Sequence, residues 1–394
     1  MNYIVRYKGK ILCFYHDGNS IMLKEFLNGQ WSNPFLIFND AKNEYTINIS
    51  DGQINLFCQN SAGNPFLCVY KNNAWQNKII LQNQFNYPLQ IHPLMDKNNF
   101  SLFYNMPADK NNFYLVINKL KENRWQPSVQ IDKSYGLDNF CVQRLGNNHL
   151  IVFYMTNTNG INLGYREISS TQQSKFHIIH STYYKITDAA FLTTTDTIHS
   201  LYTVKNMFTK QIVYRKKQDV SFSKPIVLFE SPNINNNLLM EVKNNLYAAW
   251  MVNNKIYVSI SKDDGFTFSV PKIHNESFSN LAKAKYLTDE KMSEENFFMR
   301  EVYVEKEQPW QIIFMPDMQK DFFQIQDGLQ NQLHKKNEPR TDEIISKLKN
   351  QLDMKNNQLA QKDKQIYNLT NLLKNKNDEI ISLSIAKKNK PKDV

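Results

Sequence analysis

The sequence predicts an all-β protein built as a seven-bladed β-propeller of four-stranded antiparallel blades, followed by a C-terminal α-helical coiled coil. Three observations support this prediction. An aromatic residue recurs at intervals of 42 to 51 residues, most copies open a similar β-rich phrase, and a seven-residue apolar spacing begins after the last copy. A fixed period in the forties with short strands is typical of propeller blades, because one such unit cannot bury its apolar faces alone. A six-bladed ring is the alternative.

The recurring aromatic residue marks the turn before the last strand of each unit. The seven copies are Trp31, Trp75, Trp125, Phe176, Phe222, Phe268 and Trp310. Phrases such as WSNPFLI after residue 30 and FSKPIVL after residue 221 follow most of them. Six units are complete. The seventh, from about residue 280 to 315, is less regular, because an acidic insertion at 289–295 stands where a hairpin turn is expected.

The second strand of each unit is the clearest internal landmark. It reads LIVFY at residues 150–154, a continuous apolar run of the kind expected for a strand covered on both faces. The turns before this strand are rich in glycine, asparagine and aspartate, as in KGK at residues 8–10 and KNN at 243–245. These residues tolerate the left-handed backbone of tight hairpins, so the pattern predicts antiparallel meanders.

The most specific turn is SKDDGFTF at residues 261–268. It resembles the Asp-box of bacterial neuraminidase (BNR) repeats, Ser-x-Asp-x-Gly-x-Thr-Trp, with phenylalanine in place of the tryptophan. An aspartate in a tight turn accepts backbone N–H groups, and glycine supplies a positive φ. The resemblance implies a sialidase-like propeller over roughly residues 1–316, with a structural box away from the catalytic face. The box residues are Ser261, Asp263, Gly265, Thr267 and Phe268.

The sialidase resemblance also implies a catalytic set that the sequence does not supply. Sialidases need three arginines that converge on a carboxylate, a Tyr–Glu nucleophile pair and an acid–base aspartate. The first arginine belongs to an Arg-Ile-Pro motif, which this chain lacks. Arg144, Arg166 and Arg300 are the arginines that could point towards a common axis. The sequence therefore favours a non-catalytic member of the superfamily.

The remaining motifs point to ligand binding without a cofactor or a metal. The eight histidines show no metal-ligand spacing with an acidic partner, and there is no P-loop or dinucleotide fingerprint. Exposed aromatic residues in loops can stack on sugars, and the candidates are Tyr135, Tyr183, Tyr184 and Phe208. The cysteines all fall in predicted strands, where we expect free, buried thiols. They are Cys13, Cys58, Cys68 and Cys141.

Charge and composition limit the classes of ligand and the cellular location that we expect. The chain has 394 residues, a formal net charge of +10 and a pI near 9.1, which favour a glycan or an acidic protein as ligand. The lysines are scattered, so nucleic acid is not favoured. No signal peptide and no apolar segment of membrane-spanning length are recognised, so we expect a cytoplasmic protein, with surface association by another route left open. Richness in asparagine, lysine and isoleucine is typical of AT-rich bacterial genomes.

A second region begins after the propeller. Residues 317–340 are expected to form a linker with a short helix, residues 341–385 a coiled coil, and residues 386–394 a basic disordered tail. A strict apolar heptad predicts the coiled coil, although lysine at three d positions weakens it. Its core residues are Ile345, Leu348, Leu352, Leu359, Ile366, Leu369, Leu373, Ile380 and Leu383. The alternative is a marginal helix that lies on the propeller or orders with a partner.

Two function classes follow from these features. The first is a non-enzymatic binding or scaffold protein, in which the propeller head recognises a glycan or protein ligand and the coiled-coil stalk makes a homo-oligomer. The second is a glycan-active enzyme of the sialidase type. The missing arginine motif favours the first class.

Overall fold

The computed structural model divides the chain into two compact units, Met1–Gln324 and Ile325–Val394. It describes residues 2–50, 52–71, 74–80, 85–96, 99–121, 124–136, 140–145, 149–169, 172–194, 197–218, 221–274, 278–289, 297–305, 311–313, 322–324 and 376. All described strands belong to the first unit. Trp310 and, apart from Lys376, the predicted coiled coil lie outside the described residues and stay predictions.

The first part of the chain forms three antiparallel meanders with four strand positions each, which we call blades 1 to 3. Blade 1 contains β1 (Asn2–Tyr7), β2 (Lys10–His16), β3 (Ile21–Leu27), β4 (Gln30–Trp31) and β5 (Phe35–Phe38). Blade 2 contains β6 (Ala41–Ser50), β7 (Gln53–Asn60), β8 (Pro65–Lys71) and β9 (Ala74–Ile79). Blade 3 contains β10 (Ile91–Asp96), β11 (Asn99–Pro107), β12 (Asn112–Lys121), β13 (Arg124–Trp125) and β14 (Val129–Tyr135). In blades 1 and 3 two short strands share the outer position, since both pair with the third strand.

Blades 4 to 6 repeat the same meander. Blade 4 contains β15 (Cys141–Leu145), β16 (His149–Asn157), β17 (Ile161–Ile168) and β18 (His177–Thr182). Blade 5 contains β19 (Lys185–Thr193), β20 (Ile198–Lys205), β21 (Lys210–Gln218), β22 (Ser221–Phe222) and β23 (Ile226–Ser231). Blade 6 contains β24 (Ile234–Val242), β25 (Asn245–Val252), β26 (Lys255–Ser261) and β27 (Lys272–His274).

The last described strands depart from this pattern. They are β28 (Leu281–Thr288), β29 (Phe297–Met299), β30 (Glu301–Glu305), β31 (Gln311–Ile313) and β32 (Phe322–Gln324). β28, β30 and β31 pair in antiparallel order, and β28 also pairs in parallel with β1. The chain bends at Arg300, so that β29 pairs with β24 of blade 6 and β30 pairs with β28.

Successive blades bury their apolar side chains between them. In β11, Leu102 faces blade 2 and the next residue, Phe103, faces blade 4. In β16, Val152 faces blade 3 and Phe153 faces blade 5. Neighbouring residues of a strand point to opposite faces, so both faces of each second strand are buried. This explains the continuous apolar runs in the sequence and confirms their interpretation.

The series of blades closes on itself. An apolar cluster that includes Met240 of blade 6, Tyr303 of β30 and Ile4 of blade 1 joins the end of the series to its beginning. The inner strands of blades 1 to 5 also line one common cavity. The first unit is a β-propeller. No helix in the described part of the chain has the length and apolar character needed to cross a membrane.

The hairpin turns have the backbone that the sequence predicted. Lys8 and Gly9 have φ of +49° and +75°, and Lys243 and Asn244 have φ of +48° and +61°. Two successive residues with positive φ are typical of the two-residue turns that match the twist of a β-hairpin. The glycine- and asparagine-rich turns therefore set the register of the first two strands of these blades.

The recurring aromatic residues occupy the turn after the third strand in most blades. Across this hairpin, Trp31 pairs with Phe26, and Trp75 pairs with Tyr70. Phe176 of blade 4 does not follow this pattern. In blades 1, 5 and 6, the residue directly after the aromatic anchor (Trp31, Phe222 or Phe268) is a serine, and its Oγ accepts a backbone N–H of the third strand. In blade 4 the corresponding serine is Ser174, which comes two residues before Phe176. Residue 173 therefore takes the anchor position there, and it is a glutamine.

Candidate ligand-binding face

A cavity of about 380 Å³ lies on the axis of the propeller. Its walls include Tyr3, His92, Cys141 and Asp188 from the inner strands of blades 1, 3, 4 and 5. Each of these residues lies near the beginning of its strand. The cavity, which we call the channel cavity, therefore lies at the end of the propeller where the inner strands begin. We call this end the start face.

A network of partly buried charges crosses the channel cavity. Lys283 and Lys285 project from β28, and Glu301 projects from β30. Lys285 Nζ lies 2.6 Å from Glu301 Oε1, and Lys283 Nζ lies 3.3 Å from Glu301 Oε2 and 3.2 Å from Asp188 Oδ1. Burial alone would lower the pKa of each lysine, but the carboxylates outweigh it and raise both values. Two lysines and two carboxylates thus neutralise each other across three parts of the ring.

His92, which lines the channel cavity, and Arg300 are two further basic groups in different states. Burial, and then the charge of Lys285, lowers the pKa of His92 to about 3, so its imidazole is neutral near neutral pH. The side chain of Arg300 is solvent-exposed and is not among the residues that line the channel cavity, and the surrounding protein lowers its pKa. Glu301 and Cys141, both of which line the cavity, partly restore that pKa. Arg300 makes no side-chain hydrogen bond or ion pair to the described residues, which leaves its guanidinium available.

Three aromatic side chains stand on the start face beside blades 4 and 5. Tyr183, Tyr184 and Phe208 are 89%, 51% and 59% exposed, and we call them the aromatic platform. Tyr183 and Tyr184 directly precede β19, and Phe208 lies in the turn between β20 and β21. Because residue 185 pairs with 205 and residue 205 pairs with 210, these two loops lie at the same end of blade 5. Tyr135, the fourth predicted candidate, instead packs against the core between blades 4 and 5.

Local hydrogen bonds hold both platform loops in place. Asn206 Oδ1 accepts the N–H groups of Phe208 and Thr209, at 3.0 and 2.7 Å. Thr182 Oγ1 accepts the N–H of Tyr184 at 3.0 Å. Side-chain-to-backbone bonds of this kind fix the shape of a turn. The apolar rings therefore stand in water on loops of defined shape.

The turn at residues 261–268 is tied together by its own side chains. Asp263 accepts the N–H of Thr267 at 2.9 Å through Oδ1 and the hydroxyl of Thr267 at 2.6 Å through Oδ2. Ser261 donates its hydroxyl to Asp263 Oδ1 at 2.7 Å and accepts the N–H of Gly265, also at 2.7 Å. These bonds, that of Thr267 first, lower the pKa of Asp263 to about 2. Because the turn follows the end of a third strand, it lies at the opposite end of the propeller from the start face.

This turn also contacts blade 5. The ring of Phe268 packs edge-on against Tyr214, with 4.7 Å between the ring centroids. Asp264 forms an ion pair with Lys216 and lies 3.4 Å from His199 Nε2. The box residues that the sequence singled out are therefore brought together at the junction between blades 5 and 6. Their structural role stays a prediction, which the Gly265 experiment below tests.

One of the arginines considered for a sialidase site is held by a carboxylate. Arg166 Nη2 lies 2.8 Å from Asp132 of blade 3, and Arg166 Nη1 donates to the Ser174 carbonyl at 2.8 Å, so this arginine bridges blades 3 and 4. The side chain of Arg300 is solvent-exposed. The cysteines are free thiols, three of them buried. Among the residues that the structure describes, no three or more histidine, cysteine, aspartate or glutamate side chains are grouped to hold a metal.

The charged residues of the channel were not predicted from the sequence. A signal was present, because Lys283 and Lys285 alternate with apolar residues in β28 and therefore share one face of the strand. Two lysines on an inner strand point to the axis of the ring. Their partners Asp188 and Glu301 come from distant parts of the sequence, and nothing local to those residues indicates the contact.

The comparisons with known proteins give structural neighbours only. No family model and no curated protein sequence matches the chain. Among solved structures, the lectin of Aleuria aurantia in complex with a fucose disaccharide has 11% identity and a TM-score of 0.44, over 68% of this chain and 93% of the lectin. A polysaccharide lyase, Uly1, has 10% identity and a TM-score of 0.48, over 79% of this chain and 89% of the lyase. A neuraminidase-like protein from A/bat/Guatemala has 10% identity and a TM-score of 0.39, over 71% and 89%.

Proposed function

We propose that this chain is a non-enzymatic glycan-binding protein whose start face presents the aromatic platform to sugar rings. The observation that carries the proposal is the exposure of Tyr183, Tyr184 and Phe208 together on hydrogen-bonded loops. Large apolar side chains that stand exposed as a group mark interaction surfaces more often than single exposed ones do.

The chemistry of the platform suits a pyranose ring. A sugar presents an apolar C–H face and a polar edge, and aromatic rings offer an apolar, electron-rich face for stacking. Tyrosine adds a hydroxyl that can exchange hydrogen bonds with the sugar edge. Preformed loops lower the entropy cost of binding, because little ordering remains to be done.

The test compares the full-length protein with a double variant, Tyr183→Ala with Phe208→Ala, on a glycan array and then by calorimetry. Loss of two stacking rings should weaken binding about five- to a hundredfold. Phe35→Ala is the matched control, because Phe35 is 54% exposed on the outer strand of blade 1. Equal affinities for the double variant and the wild type would refute the platform. Capture of a protein, with no glycan bound, would identify a protein ligand instead.

A catalytic role of the sialidase type is the second candidate, and the ion pair of Arg166 argues against it. An arginine held by a carboxylate between blades is not free to bind a substrate carboxylate. Turnover of a fluorogenic sialoside by the purified protein, lost in Arg300→Ala, would reverse this conclusion.

We also propose that the stalk at residues 341–385 joins copies of the chain, so that several platforms act together on a repeated ligand. The heptad in the sequence supports this proposal. Light scattering on the full-length protein and on a version that ends at Arg340 tests it. We expect a multiple of the chain mass only for the full-length protein, and monomers in both samples would refute it.

A seventh blade is proposed from β28, β30 and β31. The apolar cluster between blade 6, these strands and blade 1 supports the proposal, since it resembles the clusters between the other blades. An experimental structure with a fourth strand paired outside β31 would bear it out. A structure in which the chain leaves β31 without further pairing would favour six blades.

A further inference from the structure

We propose that a cleft between blades 1 and 2 binds a single negatively charged sugar ring, such as a uronic acid. The cleft has a volume of about 290 Å³. Its residues Tyr7, Lys8, Tyr70 and Lys71 lie at the ends of β1 and β8 or directly after them, so it opens at the end of the propeller opposite the start face. The inference extends the proposed glycan-binding function to a second, independent site, which we call the inter-blade cleft.

One wall of the inter-blade cleft is aromatic. Tyr7 and Tyr70 lie with their ring centroids 6.4 Å apart, and Tyr70 and Trp75 with theirs 5.2 Å apart. This row of rings runs from blade 1 into blade 2, and Leu12 and Ile54 add aliphatic surface. Tyr70 and Trp75 are only partly buried, so they retain surface towards the cleft. The wall can take the apolar face of a sugar ring.

The charges around the inter-blade cleft favour an anion. Three lysines, Lys8, Lys10 and Lys71, and one acid, Glu25, line it. Lys10 Nζ lies 2.8 Å from Glu25 Oε1, and this contact raises the pKa of the lysine, so the pair is neutral. Lys8 Nζ stands 5.0 Å from the centre of the Tyr7 ring. Lys71 is exposed and makes no ion pair with the described residues. The lysines that line the cleft therefore outnumber its acid, and the Asp289 carboxylate lies beside Lys8, whose N–H it accepts at 2.9 Å.

The junction between blades 4 and 5 corresponds to the junction between blades 1 and 2, and a lysine side chain fills the equivalent space there. Glu167 occupies in blade 4 the position of Glu25 in blade 1, because each donates its N–H to the serine of the following turn. Between blades 4 and 5, Lys217 crosses to Glu167 with 3.3 Å between Nζ and Oε1. The position of Lys217 is held by Tyr70 in blade 2, since each pairs with the aromatic anchor across its hairpin. The junction of blades 1 and 2 thus lacks the crossing lysine and is left open.

The contents of the inter-blade cleft define the ligand by its chemistry. A volume at the lower end of the range for ligand pockets suits one ring rather than a chain of sugars. Lysine ammonium groups are donors that suit a carboxylate or a sulfate, and the Glu25 carboxylate is an acceptor for ring hydroxyls. A neutral sugar would form no ion pair with Lys8 or Lys71, and an inorganic anion would not contact the aromatic wall. An acidic pyranose can form the ion pairs and also stack on the aromatic wall.

Calorimetry on the full-length protein tests the inference with three probes, which are methyl β-D-glucuronide, methyl β-D-glucoside and inorganic phosphate. We expect the glucuronide to bind about tenfold more tightly than either other probe. The double variant Lys8→Ala with Lys71→Ala should lose this preference. Lys110→Ala with Lys175→Ala removes the same charge from exposed positions elsewhere and should keep it.

The other outcomes either overturn the inference or separate it from the proposed function. Equal binding of phosphate and glucuronide would indicate a simple anion site, and an unchanged preference in Lys8→Ala with Lys71→Ala would place the ligand elsewhere. The platform variant Tyr183→Ala with Phe208→Ala separates the two proposals. If that variant alone loses the glucuronide, the inter-blade cleft is refuted while the proposed function stands. If it keeps the glucuronide and the lysine variant loses it, the inter-blade cleft stands by itself.

Discussion

Replacing Gly265 by alanine should destabilise the propeller well beyond the ordinary cost of losing a turn glycine. Gly265 has a φ of +85°, and a Cβ built on it would lie 1.9 Å from Tyr214 Oη and 2.7 Å from Tyr214 Cζ. Tyr214 is fully buried, and its Oη lies 2.7 Å from His199 Nδ1. The tyrosine therefore has neither the space nor the freedom to move aside.

The expected loss has two parts. A residue with a Cβ in the left-handed region costs about 1 kcal/mol, and forcing extra volume into a packed site costs about 1–3 kcal/mol. The free energy of unfolding should therefore fall by about 2–4 kcal/mol. Gly9 is the matched control, because it has a φ of +75° with nothing within 4 Å of its Cβ position. Gly9→Ala should cost about 1 kcal/mol, from the backbone alone.

Thermal unfolding followed by circular dichroism measures both variants. At about 1.5 °C for each kcal/mol in a unit of this size, the midpoint should fall by about 3–6 °C for Gly265→Ala and by about 1.5 °C for Gly9→Ala. Combining Gly265→Ala with Tyr214→Phe removes the nearest clashing atom, so the double variant should lose less than the sum of the two single changes. Equal midpoints for Gly265→Ala and Gly9→Ala would refute the steric argument.

Three further predictions concern charged and titrating groups. Glu301→Gln leaves the ammonium of Lys283 without its full set of partners in the channel, so the free energy of unfolding in urea should fall by about 3–5 kcal/mol. An unchanged unfolding midpoint would contradict the network. Burial lowers the pKa of His199 to about 4, below its value of about 6.5 in the unfolded chain, so the unfolded state takes up the proton first and stability should fall as the pH drops from 6.5 to 4. His199→Gln should flatten that part of a stability–pH curve, and an identical curve would refute the assignment. Arg166→Met should cost about 1–3 kcal/mol by leaving Asp132 Oδ2 without its ion pair and with the Tyr154 hydroxyl as a partner, and glycan affinity should be unchanged in calorimetry.

Most of the fold could be read from local features. The hairpins at Lys8–Gly9 and Lys243–Asn244 follow from residues that accept a positive φ, and the apolar run at residues 150–154 follows from burial of both faces of a strand. Each signal lies within a few residues of the structure that it predicts. The anchor of blade 4 was misassigned because Phe176 has the right spacing and side chain, whereas the deciding feature is the hydrogen bond of Ser174.

The candidate sites were less predictable, because they depend on how the blades are placed around the ring. Tyr183 and Phe208 were recognised as loop aromatics, but only the pairing of β19, β20 and β21 brings their loops to one end of a blade. The inter-blade cleft is open because no lysine crosses it. Tyr70 occupies the position that Lys217 has at the junction of blades 4 and 5. A sequence read one unit at a time does not show which residue of the next unit fills a gap.

The parallel pairing of β1 with β28 has a consequence for synthesis of the protein. Residues 2–6 hydrogen-bond with residues 284–288, so the strand made first finds its partner only when nearly the whole propeller has left the ribosome. At about 5–20 residues per second, that delay is on the order of 15–60 s. During this time the inner edge of β1 offers unpaired N–H and C=O groups to any passing strand. Chains that stop short of residue 281 would keep that edge open, and we expect them to aggregate even though every blade before the gap is complete.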